Sequence, residues 1–447
     1  MRRVVITGVG AVSPHGLTSA DLWRGLTEMR SSIAPLSAFD PATFPSRIAG
    51  QVPAFKTLDY VPKSYRKATK IMARDIELAV LAADGAVRDA HLATRGVMES
   101  FGGKKPDDSW FEVDSRRIGC NIGAGLICAD LNELTAAMAP AKGDDGSLSL
   151  RKWGKSDDPS KPSGMDLLTP LWLLKYLPNM LACHVSIIHD TQGPSNTITC
   201  QQASAGLALA EACRTIQRGQ ADIALVGGCE SMVHPMGLMR WTLLHRLTTT
   251  GNDQPGRACR AMDQTADGTV IAEGGSVLII EELQHALARG GKIYAEVAGL
   301  GATSSARGIG GPDPAGEAMA VAMRKSLKDA GTDPRDVQLV VPAGYGIPRD
   351  DQAEASAINS VFASQHPEVV AIRGALGDAG AGSQALDLAA AAMALHYQTV
   401  PGAVNCTTPL AGLNVPQQTH AAALKHVLVS TGSIAGQNSA IVLRHYV

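Results

Sequence analysis

One order of elements runs through this chain twice: strand, Ala-rich helix, strand, small-residue elbow, helix. That repeat constrains the fold more than any other feature. RVVI at 3–6, closed by TGVG, and KIYAEVAGLG at 292–301 have the apolar runs of buried strands. Each is followed by a long helical stretch, at 76–90 in the first half and 317–330 in the second. RIGCNIGAG at 117–125 and VQLVVPAGYG at 337–346 then read as strands ending in glycine turns, and two elbows enter helices at 199–219 and 377–397. A duplicated α/β unit follows, with two central sheets flanked by helices and both elbows facing one shared site. GNDQPGRACR at 251–260 gathers breakers and charge, which places the boundary between a half at 1–255 and a half at 256–447. GGSVLIIEE at 274–282 adds one more strand. The helix starting at Ala203 and its counterpart at 385–395 carry Ala, Gly and Leu nearly all round, the pattern of a helix buried between layers.

Composition narrows the function classes. A chain of 447 residues that is 45% hydrophobic and 18% charged, with a net charge of -2, is an ordinary globular protein. Nothing in that balance calls for nucleic acid or an anionic membrane as partner. The cysteines (Cys120, Cys128, Cys183, Cys200, Cys213, Cys229, Cys259, Cys406) show no CxxC pair and no regular spacing. They read as reduced, buried thiols with no metal to hold. No signal peptide or membrane-length apolar span is visible, so a cytoplasmic location is the expectation. Segments 100–115 and 141–164 are polar and rich in Gly, Pro and Ser. They should be surface insertions, solvated loops or else a lid or partner-docking loop, with Trp110 and Trp153 as apolar anchors.

Six stretches in order, RRVVITGVGAVSPHG, YLPNMLACHVSIIHDTQGPSNTIT, RGQADIALVGGCES, DQTADGTVIAEGGSVLIIEE, GKIYAEVAGLG and YQTVPGAVN, resemble the β-ketoacyl-acyl carrier protein synthase family. The resemblance spans nearly the whole chain apart from the two insertions. It implies an α/β, thiolase-like fold whose duplicated halves stack in α-β-α-β-α layers. It also implies a Cys nucleophile on the first elbow and two His from the second half. The thiolate would take the acyl chain as a thioester, the His pair would stabilise the enolate left by decarboxylation of malonyl-carrier protein, and elbow N–H groups would form the oxyanion hole.

Carried over one at a time, none of those catalytic types is present. The family's Cys lies nine residues beyond the glycine of one turn and seventeen before the glycine of another, and counting from Gly193 and from Gly219 lands both times on Gln202. Asp351 and Glu354 match the carboxylates that follow the first His, and the count back places Ala343 at that His. The second His follows a Lys by five residues, which puts Arg373 at the Lys and Asp378 at the His. An ionised Asp378 would repel a developing enolate. TGSIAGQN stands where the family usually has SFGFGGQN, so Gly432 and Ile434 replace two Phe, the second of which usually gates access.

Gln at the nucleophile position resembles chain length factors, which pair with an active synthase, and decarboxylating synthase domains. In either, the amide oxygen can satisfy oxyanion-hole N–H groups that would cost about 1–3 kcal/mol each if buried bare. Loss of both His favours a condensation-inactive subunit of the chain length factor type. Its partners would be an active ketosynthase in a two-fold dimer, or a second copy of itself, together with an acyl carrier protein and an acyl chain, with no cofactor. A strand near the first elbow forms the family's dimer contact, which puts Gly193 to Thr199 at or near the interface. Two other classes stay open: a malonyl-thioester decarboxylase or other acyltransferase, and a non-catalytic scaffold for an acyl chain or acyl carrier protein. Cys200, two residues before Gln202, would face the site by strand alternation and is the alternative nucleophile. Arg373 with Glu354 and Asp351 could form a buried ion-pair group, with Asp378 as a further member. His184 and His189 flank VSII as strand-end or interface residues.

Overall fold

The computed structural model describes residues 2–126, 131–307, 313–363 and 365–446; Cys128 lies outside them. The first unit contains β1 (Val4–Val12), β2 (Ile118–Ala124), β3 (Ser195–Ile198), β4 (Ile223–Ser231) and β5 (Glu273–Glu282). The second contains β6 (Ala295–Ser304), β7 (Leu339–Val341), β8 (Glu368–Val369), β9 (His426–Gly432) and β10 (Gln437–Arg444). The spatial order is β3-β2-β4-β5-β1 in the first and β8-β7-β9-β10-β6 in the second, the same order twice. Both units also mix directions alike: the second strand runs parallel to its two neighbours, and the remaining pairs are antiparallel. The strand that completes the first unit, β5, comes after the breaker-rich segment, so the repeat changes over between Glu282 and Ala295.

The two expected sheets are joined. β1 pairs with β6 at Val5↔Glu296 and Ile6↔Ala295, which makes one ten-stranded sheet. Each unit would otherwise leave its first strand as an open edge, and pairing the two edges satisfies both. β1 itself runs through the TGVG turn to Val12 rather than stopping at Ile6, and all nine of its residues are buried.

Helices α1 (Arg74–Asp89) and α3 (Glu317–Ala330) cover the two units on the outside, α1 against β1 and β5, α3 against β6 and β10, with α4 (Pro348–Phe362) packed beside α3. Between the units lie α2 (Ser204–Gln217), on β2 and β4, and α5 (Ser383–Tyr397), on β5 and β9; the two also touch each other. In α5 every residue from Ser383 to Leu395 is buried, which a helix can tolerate only if it is largely apolar and its few polar side chains find buried partners. The outer helices approach through glycine. A Cβ on Gly10 would lie 2.0 Å from the Ala82 carbonyl oxygen, and one on Gly301 2.0 Å from that of Ala322. The glycine turns of the two repeats thus do the same work in each half.

The segment expected to carry His184 and His189 at strand ends is a helix instead, Met180–His189. Both insertions lie largely at the surface. Trp110 stacks on His91 with ring centroids 5.3 Å apart, and Trp153 packs over Gly164.

Candidate functional site

The first elbow leaves β3 at Ile198 and turns through Gln201, a non-glycine residue at φ 52°, before Gln202 begins the turn into α2. Left-handed backbone is disfavoured for a residue with a Cβ, so this turn is held by its surroundings. The second elbow passes Gly377 at φ 83° and Gly380 at φ 56° on its way into α5. The two turns pack directly on one another, as the duplicated sequence requires.

Their contact is polar and sealed. Gln202 Nε2 donates to Asp378 Oδ2 at 3.1 Å, and each residue is 1% exposed. Asp378 Oδ1 accepts from Ser383 Oγ at 2.8 Å and from the Gly380 N–H at 3.1 Å. A carboxylate oxygen is an acceptor, and the amide turns its NH2 toward Asp378. Gln202 Oε1 is left buried without a hydrogen-bond partner among the described residues. This reverses the expectation that the amide oxygen would fill an oxyanion hole: the nitrogen is the anchored end. Asp378 decides it, because a His at that position could have accepted or donated.

Sequence counting missed Glu230, at the end of β4. Its Oε2 accepts from the Ala381 N–H at 2.6 Å, beside Asp378. Burial first, and the charges of Asp75 and Asp378 after it, push its carboxyl up to about 8. The second elbow therefore rests on a carboxylic acid that is largely neutral at pH 7. Only the fold brings these acids together, since Asp75, Glu230 and Asp378 come from three distant segments.

Ala343 follows β7 and is fully buried. Its N–H and that of Gly344 donate to the two oxygens of Glu354, at 3.0 and 2.9 Å, and Ser430 Oγ adds a third bond at 3.1 Å. Asp351 accepts from the N–H groups of Tyr345, Gly346 and Met262 at 2.7, 3.0 and 2.8 Å. These carboxylates clasp the turn at 343–346, and among the described residues neither makes a hydrogen bond or ion pair with Arg373, although its charge acts on Glu354. The expected ion-pair group is thus corrected: Arg373 Nη1 bonds Asp387, a residue of α5. Both are fully buried, and the guanidinium lies 5.8 Å from the centre of the Tyr345 ring. Burial alone would lower the Arg373 pKa, but the charge and hydrogen bond of Asp387 outweigh it and keep the guanidinium charged. Helical spacing on α5 could have flagged Asp387, the lone acid of an otherwise apolar helix.

Cys200 lies beyond the end of β3, so strand alternation does not aim it. Its N–H donates to Ser204 Oγ at 2.8 Å, and burial pushes its thiol pKa up, away from a thiolate. His184 and His189 serve structure: Tyr65 Oη lies 2.9 Å from His184 Nδ1, and Thr94 Oγ1 lies 2.8 Å from His189 Nδ1. Gly432 ends β9, and its carbonyl accepts from Tyr345 Oη at 2.6 Å. Ile434 packs on an apolar cluster that includes Met232, Trp241 and Leu247. Beside both lies a pocket of about 50 Å³, lined also by Met319, Asn438 and Tyr345.

Two surface features complete the picture. β3 is the outer strand of the sheet, bonded only to β2 among the described residues, with Ser195 and Asn196 exposed. The 3₁₀ segment Lys63–Ile71 exposes Lys63, Arg66, Lys67 and Lys70, none of them in an ion pair among the described residues. No group of three or more His, Cys, Asp or Glu among the described residues could hold a metal ion, and no described helix is long and apolar enough to cross a membrane.

Two five-stranded units of one topology, with facing elbows between two central helices, define a thiolase-like ketosynthase fold. The chain belongs to the beta-ketoacyl synthase family, whose N-terminal domain matches residues 1–286 and whose C-terminal domain matches 294–407. A 3-oxoacyl-[acyl-carrier-protein] synthase 2 of Coxiella burnetii is 29% identical over 455 residues, covering 99% of this chain and 98% of its own. Among solved structures, a type II polyketide acyl-carrier protein in complex with its ketosynthase bound to the hexaketide aligns with TM-score 0.81 at 26% identity, over 100% of both chains. The ishigamide ketosynthase/chain length factor aligns with TM-score 0.81 at 25% identity, again over 100% of both.

Proposed function

We propose that this protein is a condensation-inactive ketosynthase-fold subunit of the chain length factor type, which pairs with an active ketosynthase in fatty acid or polyketide synthesis. The buried Gln202–Asp378 pair carries the reading. Condensation needs a thiolate to hold the acyl chain and neutral or cationic donors to stabilise an enolate. The elbow instead presents an amide tied to a carboxylate, and Ala343 brings only a methyl group to the position that the count gives the first His. A carboxylate there raises the energy of a developing oxyanion, and an amide cannot form a thioester.

The surface supports a partner. The open ladder of β3 can continue into a strand of a ketosynthase-fold neighbour across a two-fold axis. The cationic segment Lys63–Ile71 suits an acidic face, which we assign to the acyl carrier protein of the same system. Co-expression with candidate ketosynthases tests the reading. A stable one-to-one complex is expected, with product length that shifts when Ile434 is replaced. Failure to bind any ketosynthase, together with carbon dioxide release from malonyl-carrier protein by the isolated chain, would make it a decarboxylase instead.

A further inference from the structure

The pocket beside β9 owes its space to Gly432. A Cβ there would point at Asn438 Oδ1, 2.9 Å away, and Met319 Cε, 3.1 Å away, both lining the pocket. A larger side chain would occupy the volume. At its inner end the pocket meets Tyr345, which is only 5% exposed. Three independent contacts fix that ring. Its hydroxyl bonds the Gly432 carbonyl, its backbone N–H bonds Asp351, and its face lies toward the buried Arg373. The turn that carries it is rigid, with Gly344 at φ 53° and Gly346 at φ 75° and their N–H groups held by Glu354 and Asp351. Arg373, toward which the ring face lies, is buried with Asp387, and the Gln201–Ala203 turn packs on β9, the strand whose Gly432 carbonyl the ring hydroxyl bonds.

We infer that Tyr345 is a fixed plug, which separates the surface pocket opened by Gly432 from the sealed Gln202–Asp378 pair and stops any group entering that pocket short of the elbow. The glycine loop has neither of the two Phe that the family usually carries there, and the ring beside the pocket is that of Tyr345 on the facing turn. The result is a shallow pocket that admits a slender group but has no passage to the position where a nucleophile would stand. The subunit is thereby closed to chemistry by packing as well as by residue type.

A cysteine reporter reads this directly and needs no ketosynthase partner, so its failure is separable from failure of the proposed function. Gln202→Cys is treated with iodoacetamide, and labelling at position 202 is followed by peptide mass spectrometry. With Tyr345 intact, labelling is expected to be slow. Adding Tyr345→Thr should raise the rate by at least about tenfold, whereas Tyr345→Leu, which keeps bulk without the hydroxyl, should leave it within about threefold. Equal rates with and without Tyr345→Thr, or equal acceleration by Thr and Leu, would overturn the inference. Should Tyr345→Thr not fold, Tyr345→Phe removes only the bond to Gly432. Amide hydrogen exchange at 432–436 should then rise by about fivefold or more, and unchanged exchange would show that the hydroxyl does not hold the loop.

Discussion

Replacing Glu230 with glutamine separates a buried acid from its pH dependence. The carboxyl sits on the second elbow with its pKa raised from 4.5 to about 8 by burial and by Asp75 and Asp378. A folded-state pKa above the unfolded value means that the native protein keeps a proton the unfolded chain has released. The associated stability is fully present below pH 4.5 and is lost as pH rises toward 8. A shift of that size corresponds to about 4–5 kcal/mol in total, at about 1.4 kcal/mol per pH unit across the window. Glutamine has no proton to lose, and its amide oxygen can still accept the Ala381 N–H. Relative to the parent, Glu230→Gln should therefore gain stability from pH 5 to 8 and level off above. At about 2.1 cal/mol/K per residue, a 447-residue chain that unfolds as one unit shifts its Tm by about 1 °C per kcal/mol. Thermal melts at pH 5, 6, 7, 8 and 9 should show the Tm difference growing by about 4 °C across that range. A difference that stays constant with pH would show that Glu230 is ionised throughout and would refute the neutral-acid reading of the site.

Other outcomes follow from the same geometry. Gln202→Cys alone should give no β-ketoacyl product with acyl- and malonyl-carrier protein, because Ala343 and Asp378 remain. The same change should cost about 1–3 kcal/mol, read as Tm, for the hydrogen bond lost by Asp378. Asp387→Ala leaves the Arg373 charge buried without its partner and should cost about 3–5 kcal/mol, and the double variant Arg373→Met with Asp387→Leu should recover most of it. Reversing charge with Lys63→Glu and Lys67→Glu should weaken acyl carrier protein binding by about tenfold at low salt, with a smaller effect at 0.5 M salt. Titration calorimetry at the two salt concentrations distinguishes this from misfolding, which would not respond to salt.

The order of elements in the repeat was legible in the chain. Glu317–Ala330 forms the expected helix, and both elbows enter helices where small residues announce them. Gln202 was singled out by counting from two glycines, Ala343 by counting back from Asp351 and Glu354, and Asp378 by counting on from Arg373, because spacing within a turn is kept when the residues in it change. The count says which residue types meet, but it is silent on how they bond. It did not reveal that the Gln202 amide presents its nitrogen to Asp378, that Glu354 and Asp351 serve backbone N–H groups, or that Asp387 holds Arg373. Each depends on which donor or acceptor another segment delivers. The helix at Met180–His189 was misread because a short apolar run such as VSII has no period of its own, and packing against β2 and α1 selects the helix.

The local pattern of the chain was enough to determine a duplicated α/β architecture and to single out Gln202, Ala343 and Asp378, since periodicity and residue spacing are local properties. Tertiary structure alone decided that the two units share one sheet, that burial raises the Glu230 carboxyl above its usual range, and that Tyr345 stands between a pocket and a sealed elbow. Burial, and with it pKa and access, is set by segments hundreds of residues apart.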